Sequence, residues 1–276
     1  MGEKDYWLRL ARALRSELDS SLRSWAGLPV VDYFIGFQYA YVQLEGGWCG
    51  VAAAPYWSGR RHEPLAEALE DATPRMLARL VEKTANSLAA SLALAAVNAA
   101  TNAWIECTTE PGIEFGLDAL DLVKSGSGTV ILVGYMAPIA RKLRKMGYKV
   151  YVTELERRLV AKASIDGFPV IGGLELEHVA ANADMFVVSG AALIDPPSLF
   201  PLLESARSAE IVLVGASSSF HPRIAWRLSA SIVAGIYIDR TVCSYVRRAV
   251  AQGGGPYMVE RSWGVRLVKW AAARQS

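Results

Sequence analysis

Cysteine and histidine are scarce in this sequence, and neither is spaced as in a metal or catalytic motif. The 276 residues include three cysteines and three histidines. Cys49, Cys107 and Cys243 lie far apart without C-x-x-C spacing, which predicts free thiols in a reducing cytoplasm. The histidines show no H-x-x-x-H or H-E-x-x-H spacing, so no protein metal site is expected. G-x-S-x-G is absent too, and nucleophilic catalysis therefore has no sequence signature.

The sequence also lacks long runs of like charge and an apolar leader. Its net charge is +2, and no Lys/Arg run alternates with aromatic residues, so nucleic acid is not an expected partner. Charges at Glu3, Lys4 and Asp5 argue against a signal peptide, which again favours a cytoplasmic location. Only residues 86–105 approach membrane length. Their small residues and asparagines predict a buried helix, and no membrane contact is expected.

The composition is that of a compact, rather apolar globule. Hydrophobic residues make up 52% of the chain and charged residues 20%. A chain of this length has room for one large or two modest domains, each with its own core. The apolar composition mildly favours a homodimer.

The most informative stretch is residues 129–156, which predicts a βαβ unit. The apolar run Thr129–Val133 is typical of a strand buried on both faces of a parallel sheet. Gly134 ends it, and Pro138 suits the first turn of a helix whose apolar residues then recur at helical spacing. Gly147 ends that helix, and Lys149–Thr153 predicts the second strand.

Glu154 follows the second strand, 20 positions after Gly134. A Rossmann-type site places a ribose-binding carboxylate at about this position, while the helix N-terminus offers free N–H groups to the ligand. However, the loop reads G-Y-M-A-P and not G-x-G-x-x-G. With a single glycine and a proline that donates nothing, it argues against a dinucleotide and leaves open a mononucleoside-type ligand or one that is not nucleotide-like.

The rest of the chain predicts helices and a hairpin before this unit and strand–helix alternation after it. An amphipathic helix is expected at 6–25, a hairpin with strands at 41–44 and 48–54, and helices at 65–69 and 74–82. Residues 106–112 are a predicted linker. Beyond it, helices are expected at 115–124, 197–205 and 241–251, and strands at 185–189, 211–215 and 231–236. Residues 262–273 fit either a helix or an edge strand. The alternation predicts a parallel sheet.

Several motifs in the same order resemble one known family. They are S-L-A-L-A-A-V-N-A at 91–99, V-G-Y-M-A-P at 133–138, Y-V-T-E-L at 151–155, A-D-M-F-V-V-S-G-A-A-L-I-D at 183–195 and V-L-V-G-A-S-S at 212–218. Over nearly its whole length the chain resembles the heavy-metal-chelation family, a domain of unknown function. The loop A-S-S-S-F-H-P departs from the pattern expected there, so His221 is not carried over as a site residue.

The resemblance implies an α/β fold in two parts. Residues 1–112 would form a smaller α+β domain resembling the N-terminal domain of enolase, and residues 113–276 a Rossmann-like domain with a parallel sheet. The site would lie in the cleft between them. For the family, metal-chelator, pterin or flavin-like chemistry has been suggested.

The candidate site gathers at the carboxyl ends of the predicted strands, where open parallel sheets bind ligands. The expected ligand-binding residues are Gly134, Tyr135, Pro138, Glu154, Ser189, Gly190, Ala191, Asn98 and Arg61. Arg61, with Arg60 and His62, would form an anion-binding lid. Asn98 either donates into the cleft or ties down a neighbouring backbone group, and Asn102 shares its helix face.

The leading functional hypothesis is a protein that holds an anionic nucleoside- or pterin-like small molecule between the two domains. An enzyme of condensation, hydrolysis or group transfer and a binding protein both fit, and no particular cofactor is indicated. The first alternative is a non-catalytic protein that binds heavy metal or a metal chelator. The second is an S-adenosylmethionine-type methyltransferase, which rests on Glu154 and is weakened by the missing G-x-G loop.

Overall fold

The computed structural model describes residues 3–55, 65, 69, 71–109, 112–194, 199 and 209–274. In them the helices are α1 Glu3–Leu18, α2 Pro74–Thr84, α3 Ser87–Cys107, α4 Ala137–Lys145, α5 Arg157–Ile165, α6 Gly173–Ala180, α7 Pro222–Arg227, α8 Cys243–Ala251 and α9 Met258–Trp263. The strands are β1 Val30–Ile35, β2 Tyr39–Leu44, β3 Cys49–Ala53, β4 Glu114–Phe115, β5 Thr129–Val133, β6 Lys149–Thr153, β7 Met185–Ser189, β8 Glu210–Val214, β9 Ile232–Tyr237 and β10 Val268–Ala273. The predicted helices at 65–69 and 197–205 fall largely outside the described residues.

A seven-stranded sheet forms the centre of the molecule. Its order is β4-β10-β9-β8-β7-β5-β6; β6, β5, β7, β8 and β9 run parallel, and β10 and β4 pair antiparallel at one side. The predicted bounds of β5, β6 and β7 are confirmed. The predicted fold class, a Rossmann-like parallel sheet preceded by a smaller α+β part, is confirmed as well.

Both faces of the large sheet are covered, as its apolar strands require. On one face, Val130 and Leu132 of β5 belong to a core that includes Leu143 of α4. On the other face, Ile131 and Val133 belong to a core that extends to α1, α3 and the smaller sheet. The amino-terminal part of the chain therefore supplies a layer of the same core as the parallel sheet. A domain boundary at residue 112 stays a prediction.

The smaller sheet is antiparallel, in the order β1-β2-β3, and side chains of α3 satisfy the outer edge of β3. The bonds run from Ser91 Oγ to the Ala53 carbonyl (2.6 Å), from Asn98 Nδ2 to the Val51 carbonyl (2.7 Å) and from Asn102 Nδ2 to the Cys49 carbonyl (2.8 Å). An edge strand buried in a core needs such partners. These bonds explain why an apolar helix carries buried amides.

Helix α3 is long and apolar enough to cross a bilayer, but 89% of its most apolar 18-residue window is buried inside the molecule. Asn86 caps it by accepting the Leu88 N–H at 2.7 Å. The predicted buried helix at 86–105 is therefore confirmed.

The prediction of free thiols is wrong for two of the three cysteines. Cys49 of β3 and Cys243, the first residue of α8, form a disulfide across a sequence separation of 194 residues. Both lie in an apolar core between the small sheet and α8, a proximity that linear spacing does not reveal. Cys107 is an exposed free thiol. The expected cytoplasmic location rested partly on three free thiols, and the disulfide removes that argument.

Four predicted elements differ from the structure. Helix α1 ends at Leu18 and continues as turns, and β1 adds a third strand to the predicted hairpin. The helix expected at 115–124 is wrong: β4 pairs with β10 there, and only a short 3-10 helix, Ala119–Asp121, follows. The ambiguous segment at 262–273 contains the end of α9 and strand β10, and β10 lies between β9 and β4 instead of at the edge.

Gly50→Ala should destabilise the fold by about 1–3 kcal/mol or more, because the strand lies against the helix backbone without room for a methyl group. A Cβ at Gly50 would lie 2.3 Å from both the Ala95 carbonyl oxygen and the Ala99 amide nitrogen. Urea unfolding followed by circular dichroism measures the loss. Gly27→Ala is the matched control, because a Cβ there meets nothing within 4 Å. Equal stability of the two variants would contradict the packing of β3 on α3.

Thiol titration in denaturant checks the disulfide. The unreduced protein should show one reactive thiol and the reduced protein three, because Cys49 and Cys243 are bonded and Cys107 is free. Cys107→Ser should leave no thiol before reduction. Three thiols in unreduced protein purified without reductant would contradict the cross-link.

Candidate functional site

A cavity of about 580 Å³ opens at the carboxyl ends of the parallel strands. Its walls include the start of α4 after β5, the segment after β7 and the segment after β8. Of the predicted site residues, the cavity brings together Tyr135, Pro138, Ser189, Gly190 and Ala191. This is the edge at which an open parallel sheet binds ligands.

The first wall is the turn from β5 into α4. Gly134 has a φ of +85°, and a Cβ on it would lie 3.0 Å from Cβ of Ser189, so the turn both needs a left-handed residue and lacks space for a side chain. Pro138 occupies the first turn of α4, as predicted. The N–H groups of Ala137 and Ile139 lie in this first helical turn, where the backbone lacks intrahelical partners and the helix N-terminus attracts anions.

The side chain of Tyr135 is buried and donates its hydroxyl hydrogen bond to Asp166. Burial, followed by the hydrogen bond to Asp166 and its charge, raises the pKa of Tyr135 to about 12. Arg141 pairs with the same carboxylate at 3.1 Å. Tyr135 is therefore a neutral anchor of the turn at physiological pH.

Glu154 is placed differently from the prediction. Its Oε2 accepts the N–H of Tyr135 at 2.8 Å, and its Oε1 accepts the N–H groups of Leu155 (2.7 Å) and Glu156 (2.9 Å). It is not part of the cavity wall. The carboxylate therefore joins the turn after β5 to the segment that precedes α5. The spacing between Gly134 and Glu154 thus produces a contact within the protein, in place of the expected contact with a ligand.

The second wall is the segment after β7 and the third is the segment after β8, and the two are in contact. A Cβ on Gly190 would lie 2.6 Å from the amide nitrogen of Ser218, so the segments after β7 and β8 pack backbone against backbone. Ser217 Oγ accepts the N–H of Ala53 at 2.8 Å. The third wall is thereby tied to the end of β3.

Asn98 ties down backbone groups. Besides the Val51 carbonyl, its Nδ2 lies 3.2 Å from the Ala216 carbonyl and 3.3 Å from the Ser217 carbonyl. Asn98 is 1% exposed and is not part of the cavity wall. Of the two roles left open by the sequence, the structure shows the second, and Asn102 does the same by accepting the Ile238 N–H at 3.3 Å.

Sequence reasoning missed the aromatic wall, which is formed by Tyr39 and Tyr257. Burial raises the pKa of Tyr39. Desolvation, with smaller contributions from Tyr39, Asp118 and Glu260, raises the pKa of Tyr257. Both hydroxyls are therefore neutral. The two rings come from the start of β2 and the segment before α9, and the only signal was the glycine-rich break at 253–256.

Charged side chains of both signs complete the cavity. Asp118 and Lys269 form an ion pair of 3.3 Å, Glu260 accepts the Leu267 N–H at 3.1 Å, and Lys162 is exposed. With two acids and two lysines the side-chain charges balance. Because these charges cancel, the partial positive charge at the N-terminus of α4 makes that end of the cavity favourable for an anion.

The remaining candidates lie elsewhere. Arg61, with Arg60 and His62, falls outside the described residues. His178 is exposed on α6. Among the described residues no group of three or more His, Cys, Asp or Glu side chains could hold a metal ion.

His221 is buried between α1, α3 and α7. Its Nδ1 accepts the Arg223 N–H at 3.4 Å and lies 3.6 Å from Oε2 of Glu17, and its ring centroid is 4.4 Å from that of Trp104. Glu17 is fully buried and also accepts from Arg227 Nε at 2.9 Å. Desolvation lowers the pKa of His221 to about 4; the Glu17 charge opposes this shift and Arg223 adds to it.

Stability should therefore fall as the pH drops from about 6.5 towards 4, because the unfolded chain binds a proton at His221 over a range in which the folded chain does not. His221→Asn keeps a capping side chain but cannot titrate, so it should flatten this slope in urea unfolding. His178→Asn removes an exposed histidine as the control. A slope equal to that of the unsubstituted protein in His221→Asn would contradict the burial of a neutral imidazole.

Comparisons with known proteins agree on one family. Two family models match, DUF4213 over residues 18–101 and DUF364 over residues 118–269, and both carry the description "Putative heavy-metal chelation". The search of curated proteins gave no match. A DUF364 protein of unknown function from Pyrococcus horikoshii superposes with a TM-score of 0.71 at 17% identity, covering 96% of this chain and 100% of its own. Another from Desulfitobacterium hafniense gives 0.66 at 20% identity, covering 95% and 99%. The chain therefore belongs to the DUF364 family, as its motifs indicate.

Proposed function

We propose that the protein binds an anionic, planar small molecule of nucleoside- or pterin-like character in the cavity at the carboxyl edge of the sheet. The observation that carries the proposal is the cavity itself. Its volume of about 580 Å³ is within the range of small-molecule sites. Two of the three loops that converge on it, the turn after β5 and the segment after β7, contain predicted ligand-binding residues.

The polar and aromatic parts of the wall suit the two parts of such a ligand. The N-terminal turn of α4, with the N–H groups of Ala137 and Ile139, faces an anionic group. Tyr39 and Tyr257 line the cavity and supply aromatic surface for a planar heterocycle, and their neutral hydroxyls can donate hydrogen bonds. Lys162 adds a positive charge at an exposed position.

A heavy-metal site built from protein ligands does not fit the described residues. The sulfurs of Cys49 and Cys243 are bonded to each other, and Nδ1 of the buried His221 accepts a backbone N–H. Cys107 and His178 are exposed and belong to no group of three potential ligands. A metal carried by a small-molecule chelator in the cavity would need no such group.

An S-adenosylmethionine or dinucleotide site gains no support from Glu154. Its carboxylate already accepts three backbone N–H groups, and the loop has a single glycine. A mononucleoside- or pterin-like ligand has no pyrophosphate bridge, so it does not need the glycine-rich loop that a dinucleotide requires.

A thermal-shift panel tests the proposal. Adenosine, adenosine monophosphate, pterin, pterin-6-carboxylate, flavin mononucleotide, S-adenosylmethionine and divalent metals are each added at increasing concentration. A ligand at about 100 times its dissociation constant stabilises the fold by about 2.7 kcal/mol, so a ligand of the proposed class should raise Tm by several degrees.

Ala191→Phe should abolish the shift, because Ala191 is exposed and lines the cavity, so a phenyl group there fills it. Ala181→Phe, at an exposed position away from the cavity, is the matched control and should keep the shift. A shift that Ala191→Phe leaves unchanged, or a shift with metals alone, would overturn the proposal.

A further inference from the structure

Ser189 and Ser217 lie where the three walls approach each other. Gly134 leaves room for Ser189 beside the first turn of α4, and Gly190 lets the Ser217–Ser218 backbone approach the segment after β7. Both serines line the cavity. Two hydroxyl groups, one from the end of β7 and one from the 3-10 turn after β8, are thus brought to the same end of the cavity as the α4 N-terminus.

Each of these hydroxyls accepts a hydrogen bond but donates none within the described residues. Ser217 Oγ accepts from Ala53 N at 2.8 Å, and Ser189 Oγ accepts from Ala191 N at 3.3 Å. Ser218, next in the chain, differs: its hydroxyl has the Gly215 carbonyl at 2.8 Å and the Ala234 carbonyl at 2.9 Å as acceptors. A serine hydroxyl has one proton to donate. The protons of Ser189 and Ser217 are thus available to a ligand.

Because Ser217 is buried, water does not readily accept the hydrogen bond that its hydroxyl can donate. Ser217 is 3% exposed, and a buried donor without an acceptor is unfavourable. A hydrogen bond to a charged oxygen is stronger than one to a neutral acceptor. A carboxylate or phosphate oxygen would satisfy this donor better than a neutral group would.

We propose that Ser217 and Ser189 form an oxyanion subsite that takes the carboxylate or phosphate group of the ligand, with the N-terminal turn of α4 beside it. This rests on the proposed function and assigns which end of the ligand goes where. The planar part then extends towards Tyr39 and Tyr257.

Isothermal titration with matched ligand pairs tests the subsite. The pairs are adenosine monophosphate with adenosine, and pterin-6-carboxylate with pterin; inorganic phosphate is a third probe. In Ser217→Ala the anionic member of the pair that binds should weaken about 10- to 100-fold, the effect of losing one hydrogen bond to a charged group. The uncharged member should change less than about twofold. The pair that responds distinguishes phosphate from carboxylate.

Ser218→Ala is the matched control, because it removes a neighbouring buried hydroxyl whose proton stays within the protein; it should leave both members of a pair unchanged. Ser189→Ala, at a partly exposed position, tests the subsite if Ser217→Ala folds poorly, and it too should weaken only the anionic member. Equal weakening of charged and uncharged members would reduce both serines to a structural role and overturn the subsite.

Two further outcomes separate the subsite from the proposed function. Binding that Ala191→Phe blocks but both serine variants leave intact would overturn the subsite alone. If no probe binds the unsubstituted protein, the proposed function and the subsite fall together.

Discussion

The buried amide and hydroxyl groups of α3 hold the two sheets and the cavity in one arrangement. Ser91, Asn98 and Asn102 give the free edge of β3 the partners that a neighbouring strand would otherwise supply. Unpaired carbonyls at this depth would each be unfavourable by about 1–3 kcal/mol. Asn98 also reaches the Ala216 and Ser217 carbonyls, so the bonds that complete the small sheet position the third wall of the cavity too.

The parallel sheet was predictable because its signals are local. Strands buried on both faces appear as short apolar runs, and Gly134, Pro138 and Gly147 mark where chain direction changes, so the bounds of β5 and β6 are confirmed. Strand β4 was missed because its two residues exist as a strand only through pairing with β10. The disulfide was missed for a related reason: β3 and α8 meet only in three dimensions.

The site residues also divide into those with local sequence signals and those that meet only in three dimensions. Tyr135, Pro138 and Ser189–Ala191 were predictable, because the carboxyl ends of parallel strands must share an edge. Tyr39 and Tyr257 were not, since they reach the cavity from segments outside the parallel sheet. Glu154 shows the limit of spacing as a guide: the carboxylate follows β6 as the spacing indicates, yet it accepts backbone N–H groups and lies outside the cavity wall. The homodimer, the cytoplasmic location and the bound small molecule stay predictions.

The bond between Cys49 and Cys243 makes most of the chain a closed covalent ring. The two cysteines are 194 positions apart, and the ring contains α3 and every parallel strand. If the molecule is pulled from its two ends, only the segments outside the ring can extend fully. At about 3.3–3.6 Å per residue, the ring keeps roughly 640–700 Å of chain from being extended. Under tension, the parallel sheet is therefore shielded from being drawn out end to end, and reduction would remove this protection at once.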